Sequence, residues 1–364
     1  MTKTSQRIFI SDCEGPISKN DNAFELATHF IPQGDGFFAL VSRYDDILAD
    51  IVKKRGYKPG DTLKLILPFL RAYGATNQDL TEYSSRNVLL VPGAKHMLQY
   101  IKAVMPSFIV STSYEQYMHA LCNLIEFPYE NVYCTRLDLD NYKLEERERE
   151  RLKQLRKEMS ALPMLEIPKN AKSLRDFPTE HQETLKTLDE IFCEEISEME
   201  IGKIFCEVNP VGGYEKAEAV QSIIKNLGNQ LSNVMYVGDS MTDVSAFQLV
   251  RRGEGLTVSF NGNEYAVREA EIAVLSENAA VTAILADTFN RFGKKGVFKL
   301  VKEWNHQAFQ RYSVDSSLRE RALKLFPEEL PQVEIVTSDN RERLMKESSA
   351  IRKTVRGEAI GKLG

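Results

Sequence analysis

Acidic side chains follow directly after two short apolar stretches of the chain. One stretch ends in Asp12 and Glu14, and another leads into Asp239 and Asp243. Carboxylates can bind a hard divalent cation, attack an electrophile or transfer a proton. The two acidic ends are therefore the first candidates for a reactive site.

A third apolar stretch ends in hydroxyl side chains instead of acids. Residues 108–110 precede Ser111 and Thr112, and amphipathic helical patterns separate the three stretches. Strands and helices that alternate at this spacing predict an α/β fold with a doubly wound parallel sheet. Ligands bind beyond the carboxyl ends of the strands in such sheets. We therefore expect the three polar ends to form one site.

Three segments interrupt or extend this alternation, and two of them lie between the polar strand ends. All three have helical patterns, and the second and third are rich in charged side chains. Weaker strand candidates lie at 131–135, 204–208 and 256–260. The predicted division is an α/β core of residues 1–21, 88–140 and 200–293, an inserted helical domain at 22–87, a charged helical insertion at 141–199 and a helical C-terminal extension at 294–364.

The composition excludes several classes of protein. Twenty Gly and 13 Pro among 364 residues are too few for a collagen-like or low-complexity chain. A net charge of −5 provides no overall positive field, so we expect neither nucleic acid nor a membrane surface as a partner. An anionic ligand must then be bound by local groups.

The cysteines and the first residues bear on the location of the protein. Five cysteines, an odd number with no CxxC spacing, predict reduced thiols. The first ten residues contain too short an apolar group for a signal peptide, and no stretch approaches the length needed to span a bilayer. The sequence therefore predicts a cytoplasmic protein.

The order of the polar strand ends, with Lys216 after a Gly-Gly pair in third place, resembles the four motifs of the haloacid dehalogenase superfamily. Most members are magnesium-dependent phosphatases and phosphotransferases with a Rossmann-like core and a cap. Glu14 stands where most of these phosphatases carry a second aspartate, and this Asp-x-Glu variant is similar to the phosphoserine phosphatase branch. The stretch 11–25 also resembles a group of poorly characterised archaeal members.

This resemblance implies a role for each acid. Asp12 is the expected nucleophile, which forms an aspartyl-phosphate, and Glu14 is the expected general acid and then base. Mg²⁺ is the expected cofactor, because a hard cation prefers oxygen ligands. Its expected ligands are Asp12, Asp239, Asp243 and the backbone carbonyl of Glu14. Asp243 could instead cap the following helix.

Each of the remaining motif residues has an alternative role. Ser111 is expected to hold the phosphoryl oxygens, with Thr112 as its rival, although both could simply cap the helix that follows. Lys216 is expected to balance charge near Asp12, and Lys203 is the competing lysine. Pro16 lacks a backbone donor, so it could alter the loop that carries Glu14 and impair catalysis.

The leading function is a magnesium-dependent phosphohydrolase that acts on a small phosphorylated metabolite. By the same resemblance, the helical segment 22–87 would be a cap that closes over the site. Its basic side chains could meet an anionic substrate, although solvated surface residues are the simpler interpretation. One alternative is a phosphotransferase. Another is a non-catalytic or regulatory subunit of a larger complex, since some archaeal members are associated with a hydrogenase. Residues 141–199 or the C-terminal extension could then bind a protein partner or a second copy of the chain.

Overall fold

The computed structural model describes residues 6–169, 171–361 and 363. Seven strands form one sheet in the order β3-β2-β1-β4-β5-β6-β7, with all neighbouring pairs parallel except β6 and β7. Helices cover both faces of the sheet. The expected doubly wound α/β fold is therefore confirmed.

The strands are β1 Ile8–Ser11, β2 Ser107–Tyr114, β3 Val132–Thr135, β4 Val234–Gly238, β5 Leu256–Phe260, β6 Ile272–Leu275 and β7 Gln332–Ile335. The first nine helices are α1 Asn22–Phe30, α2 Gly34–Asp46, α3 Thr62–Leu65, α4 Leu67–Ala72, α5 Asn77–Asn87, α6 Ala94–Val104, α7 Glu115–Ile125, α8 Glu146–Ser160 and α9 Thr179–Asp189. The others are α10 Ile204–Glu207, α11 Tyr214–Asn226, α12 Val244–Arg252, α13 Glu264–Glu269, α14 Ala280–Lys302, α15 His306–Arg311, α16 Ser316–Leu325, α17 Arg341–Arg356 and α18 Glu358–Gly361. Single π-helical turns, Ile47–Val52 and Glu190–Glu195, extend α2 and α9.

The central strands β1 and β4 determine where the acids lie. Every residue of both strands is buried, as expected for apolar runs inside a parallel sheet. Ser11 pairs with Val237, and the N–H of Asp12 donates to the Val237 carbonyl at 2.8 Å. The two strands therefore end side by side, and the acidic loops that follow them begin at the same edge of the sheet.

The structure corrects the sequence expectations at several strands. Residues 204–208 do not form a strand: α10 occupies most of this stretch. Strands β6 and β7 were not expected, and β7 lies within the extension predicted to be helical. The alternation of apolar side chains is too short in these four-residue strands to distinguish them from helix or loop.

The helices of 22–87 and those of 141–199 share one hydrophobic core. Phe69 of α4 packs against Phe192, with the ring centroids 6.2 Å apart, and Tyr44 of α2 stacks on the same ring at 5.6 Å. Most charged side chains of α8 lie on its outer face, whereas Leu152 and Leu155 are fully buried and Arg156 is buried as well. The two segments therefore form one helical layer above the carboxyl edge of the sheet.

The C-terminal extension packs against the α/β core. Phe309, Leu318 and Val333 belong to the main hydrophobic cluster, and Leu344 of α17 belongs to a small separate cluster. Within the described part of the chain, no helix is both long and apolar enough to span a bilayer.

Candidate active site

Three carboxylates converge at the carboxyl edge of the sheet. Asp12 follows β1, and Asp239 and Asp243 lie in the loop and 3₁₀ turn after β4. Each can offer an oxygen within 4.8 Å of the others, and all three side chains are buried. Buried charges require partners, so this cluster must be neutralised by cations or protons.

Lys216 lies at the centre of this cluster. Its side chain is fully buried, and its Nζ donates to Asp12 Oδ2 at 2.6 Å and to Asp243 Oδ1 at 2.8 Å. Burial opposes the charged form, but the attraction of Asp12 and Asp243 outweighs it and raises the pKa of Lys216. Lys203, the competing lysine, pairs instead with Glu200 at the surface.

The glycine pair before α11 explains how Lys216 reaches the acids. A Cβ on Gly212 would lie 2.2 Å from the Pro59 carbonyl oxygen of the helical layer. Gly213 has a φ of +57°, and its N–H donates to the Thr242 carbonyl at 3.0 Å. Only glycine permits both the close approach and the backbone turn, and these direct the first turn of α11 towards Asp12.

Asp243 is engaged by four hydrogen bonds. Its Oδ1 accepts from Lys216 and from the Tyr236 hydroxyl, and its Oδ2 accepts from the N–H groups of Asp239 and Ser240 at 2.9 and 3.1 Å. The bond from Ser240 belongs to a capping box, so the capping role considered for Asp243 is present. In this arrangement Asp243 positions Lys216 and the loop that carries Asp239.

Asp12 and Glu14 both have altered proton affinities. Burial raises the pKa of Asp12 to about 7, although Lys216 opposes the shift. Burial, followed by the charge of Asp21, raises the pKa of Glu14 well above its usual range, and Arg356 partly offsets this. Glu14 Oε1 accepts from the Asn22 N–H at 2.8 Å, which fixes the side chain at the start of α1. A protonated Glu14 beside Asp12 suits a general acid.

The turn after Asp12 tolerates Pro16. The N–H groups of Ile17 and Ser18 both donate to the Cys13 carbonyl at 2.9 Å, so the turn needs no donor at position 16. Gly15 has a φ of +102°, and a Cβ there would lie 2.1 Å from Asp239 Oδ2. Glycine at this position lets the two acidic loops touch.

Ser111 and Thr112 lie near the end of β2, beside the acids. The strand continues to Tyr114 and α7 begins at Glu115, so neither hydroxyl caps the helix, and that alternative is wrong. Ser111 Oγ is 3.0 Å from Ser113 Oγ. Both Ser111 and Thr112 line the same cavity as Asp12.

This cavity has a volume of ≈ 100 Å³ and lies between the sheet edge and the helical layer. Its walls include Asp12, Glu14, Asp45 and Asp46. Burial, with the charges of Asp46 and Asp61, raises the pKa of Asp45 to about 7, and burial raises that of Asp46 to about 6. The basic side chains of 22–87 that could meet an anionic substrate do not line this cavity, which agrees with the simpler interpretation. The following are all absent from the described lining: Arg43, Lys53, Lys54, Arg55, Lys64 and Arg71.

Two arginines of α17 also reach the site, and the sequence analysis did not identify them. Nη1 of Arg352 donates to Asp239 Oδ2 and, at 3.2 Å, to the Asp239 carbonyl. Nη1 of Arg356 donates to the same Oδ2 at 3.2 Å, and its Nε donates to the Lys19 carbonyl at 3.1 Å. Their spacing of four residues places both on one helix face, but the sequence does not show where that helix docks.

The acids present fit the cofactor that the resemblance implies. Mg²⁺ prefers carboxylate and carbonyl oxygens and keeps several waters, so it needs only one or two carboxylates from the protein. The three buried carboxylates provide such oxygens within 4.8 Å of one another. No cysteine or histidine belongs to this group, which favours a hard cation over zinc.

Comparisons with known proteins identify the family. The model of the haloacid dehalogenase-like hydrolases matches residues 94–284, a little more than half of the chain. The chain therefore belongs to this hydrolase family, as the motif order predicted. Ser111, Lys216, Asp239 and Asp243 lie within the matched stretch, and Asp12 precedes it.

Solved structures give a further similarity. The gene product AF1437 from Archaeoglobus fulgidus is 28% identical over 99% of both chains, with a TM-score of 0.81. A substrate-bound phosphoserine phosphatase is 13% identical over 78% of this chain and 98% of its own, with a TM-score of 0.44. The second similarity is too low to bear on the activity. No curated protein matches the chain significantly.

Proposed function

We propose that this hydrolase is a magnesium-dependent phosphatase that cleaves a small phosphomonoester through an aspartyl-phosphate on Asp12. One observation carries the proposal: buried Lys216 contacts both Asp12 and Asp243, and Asp239 lies within 4.8 Å of them. A carboxylate nucleophile can approach a phosphate only where the negative charge is offset. This cluster provides the nucleophile and one of the cations.

In the first step a carboxylate oxygen of Asp12 attacks phosphorus, and the bond from phosphorus to the leaving oxygen breaks. Glu14 gives its proton to that oxygen, so the leaving group departs as an alcohol. The raised pKa of Glu14 supports this role, because it favours the protonated form that a general acid requires. Ser111 and Thr112, which line the cavity, hold the phosphoryl oxygens, and Lys216 balances the negative charge of Asp12 from its buried position.

In the second step the Glu14 carboxylate accepts a proton from water as the water oxygen attacks phosphorus. The bond from phosphorus to Asp12 breaks, which releases inorganic phosphate and restores both side chains. One carboxyl group thus acts first as an acid and then as a base. Splitting the displacement into two steps lowers the barrier of each.

The carboxylates of Asp12 and Asp239 and the backbone carbonyl of Glu14 would bind Mg²⁺. Asp243 would lie behind these ligands, where it positions Lys216 and the loop that carries Asp239. The ion would supply charge neutralisation at the phosphoryl group. The lysine and the hydroxyl groups perform the remaining orientation.

The size of the cavity favours a small substrate. A volume of ≈ 100 Å³ is below the roughly 300 Å³ that is usual for pockets binding drug-sized ligands. The helical layer closes the cavity on the side opposite the sheet, so it would exclude water from the reacting phosphorus. We infer that the leaving group contacts the residues around Asp45.

The test is phosphate release from a panel of phosphomonoesters, with and without Mg²⁺. Asp12→Asn keeps the size of the side chain and removes its charge, and Asp35→Asn, on the exposed start of α2, is the matched control. We expect release that requires Mg²⁺ in the parent and control and is lost in Asp12→Asn. Equal activity in all three proteins would reject the proposal.

A further inference from the structure

The C-terminal end of the chain crosses the site from the core to the helical layer. We call α17, α18 and Leu363 the C-terminal strap. Its arginines contact Asp239, and Leu363 lines the cavity and packs against the shared core of the helical layer. The strap therefore contacts both walls of the cavity.

The strap contacts Asp239, the carboxylate that the proposed function assigns to the metal. Arg352 and Arg356 both donate to Oδ2 of Asp239, and Arg352 also donates to its carbonyl oxygen. Both arginine side chains are at most 5% exposed, so the pairs are shielded from solvent. Shielded ion pairs are screened little by water and salt, so the attraction between these arginines and Asp239 is strong.

The charges of the described cluster are already matched by protein cations. Lys216 contacts Asp12 and Asp243, and the two arginines contact Asp239. A divalent cation at Asp239 would lie next to two guanidinium groups, and like charges at contact distance repel strongly in a buried site. Metal and arginine therefore compete for the same carboxylate.

Beyond Asp239, the strap is held by a small apolar cluster, by the Ser348 hydroxyl, which donates to the Gly262 carbonyl at 2.6 Å, and by Arg356, which donates to the Lys19 carbonyl at 3.1 Å. The apolar residues of α17 join a small cluster centred on Leu344 and Val267, separate from the main core. The Nε–H of Arg352 has no hydrogen-bond acceptor among the described residues, and burial lowers the pKa of this guanidinium. The docked position thus leaves one buried donor unsatisfied, which favours release when the contact with Asp239 is lost.

We propose that the C-terminal strap is a built-in competitor of the divalent cation: Arg352 and Arg356 neutralise Asp239, and metal binding displaces them and loosens the strap. The inference rests on the proposed function in taking Asp239 as a metal ligand. By linkage, docking of the strap lowers the affinity for metal by the same factor by which metal weakens docking.

The first experiment measures Mg²⁺ affinity by calorimetry on the full chain without substrate. Arg352→Gln removes the competing charge and should raise the affinity about tenfold or more. Arg352→Lys keeps the charge and should bind Mg²⁺ much as the parent does. Lys346→Gln, exposed on the same helix, removes an equal charge away from the site and should change nothing.

Asp239→Asn separates the two proposals. If the parent binds Mg²⁺ and Asp239→Asn does not, the metal site stands, and an unchanged or lower affinity in Arg352→Gln overturns the competition. If neither the parent nor Arg352→Gln binds Mg²⁺, both proposals are overturned. If Arg352→Gln binds Mg²⁺ and the parent does not, Arg352 excludes the metal completely, which supports the competition.

The second experiment needs no variant of the arginines, so it is independent of their effect on folding. Hydrogen exchange of the amides in 341–356 is followed in the parent with and without Mg²⁺, with Asp239→Asn as the control. We expect Mg²⁺ to speed exchange in α17 of the parent and not of the control. Exchange that is unchanged or slower in the parent at saturating Mg²⁺ would overturn the proposal.

Discussion

The site draws positive charge from two regions of the molecule, which hold it differently. Lys216 belongs to the α/β core, is fully buried and contacts two carboxylates. Arg352 and Arg356 belong to the C-terminal helix and contact a single carboxylate, Asp239. The lysine is tied to the sheet through α11, whereas the arginines depend on the docking of one helix. Lys216 is thus a permanent source of positive charge at the site, and the two arginines are the source that we propose the metal displaces.

Removing the permanent charge should have the largest effect. Lys216→Met leaves Asp12 and Asp243 buried without their cation, and breaking one partner of a buried pair costs about 3–5 kcal/mol. We expect the free energy of unfolding in urea to fall by that amount and phosphate release to be lost. Lys225→Met, exposed at the end of the same helix, should match the parent in both assays. If Lys216→Met is as stable and as active as the parent, Lys216 is not the cation on which Asp12 and Asp243 depend.

Both sources of positive charge act on a reacting carboxyl group. Arg356 of α17 lowers the pKa of Glu14, and Lys216 of the α/β core lowers the pKa of Asp12. Glu14→Gln cannot protonate a leaving group, so hydrolysis of alkyl phosphates should slow about 10²–10⁴-fold. With 4-nitrophenyl phosphate, whose leaving group needs no proton, the first step should proceed nearly as in the parent. The burst of nitrophenolate measures that step. An equal loss of the first step with both substrates would show that Glu14 is not the acid.

The pH dependence follows from the same two groups. Asp12 must be ionised to bind Mg²⁺ and to attack, so at limiting Mg²⁺ the rate of phosphate release should rise with pH through the range around the pKa of about 7 that Asp12 has in the metal-free protein. Glu14 must be protonated in the first step, so the rate should fall again at higher pH, beyond the raised pKa of Glu14. A bell-shaped profile is therefore expected. With 4-nitrophenyl phosphate, whose leaving group needs no proton, the fall at high pH should be absent already in the parent, and its persistence would assign that limb to another group.

The smallest expected effect concerns the contact between the acidic loops. Gly15→Ala and Gly56→Ala both place a side chain at positive φ, which costs about 1–2 kcal/mol. Only Gly15 faces a neighbour, because a Cβ there would meet Asp239 Oδ2. Gly15→Ala should lose a further 1–3 kcal/mol or so of unfolding free energy in urea and weaken Mg²⁺ binding. Equal losses in the two variants would mean that the contact with Asp239 adapts freely.

The sequence predicts the core side of the site because its signals are local. Asp12 and Asp239 each follow a short apolar run, and parallel strands bring such ends together. Lys216 is found by its place after Gly212 and Gly213, in the third position of the motif order. Each of these inferences needs only a few adjacent residues and the rules of a parallel sheet.

The remaining features depend on long-range packing that local patterns do not encode. Arg352 reaches Asp239 across 113 positions of the chain because α17 docks beside β6 and α13. Strand β7 forms because the edge of β6 is free to pair, which four residues of sequence do not indicate. The acidic lining at Asp45 likewise depends on how α2 faces the sheet.

The most direct test of the central claim is to trap the phosphoryl group on Asp12. Glu14→Gln, given Mg²⁺ and 4-nitrophenyl phosphate labelled with radioactive phosphorus, should complete the first step and lack the base for the second. After an acid quench and digestion, we expect the label on the peptide that contains Asp12, approaching one per chain, and none in Asp12→Asn. Phosphate release by the parent with label absent from Asp12, or bound to another residue, would contradict the account.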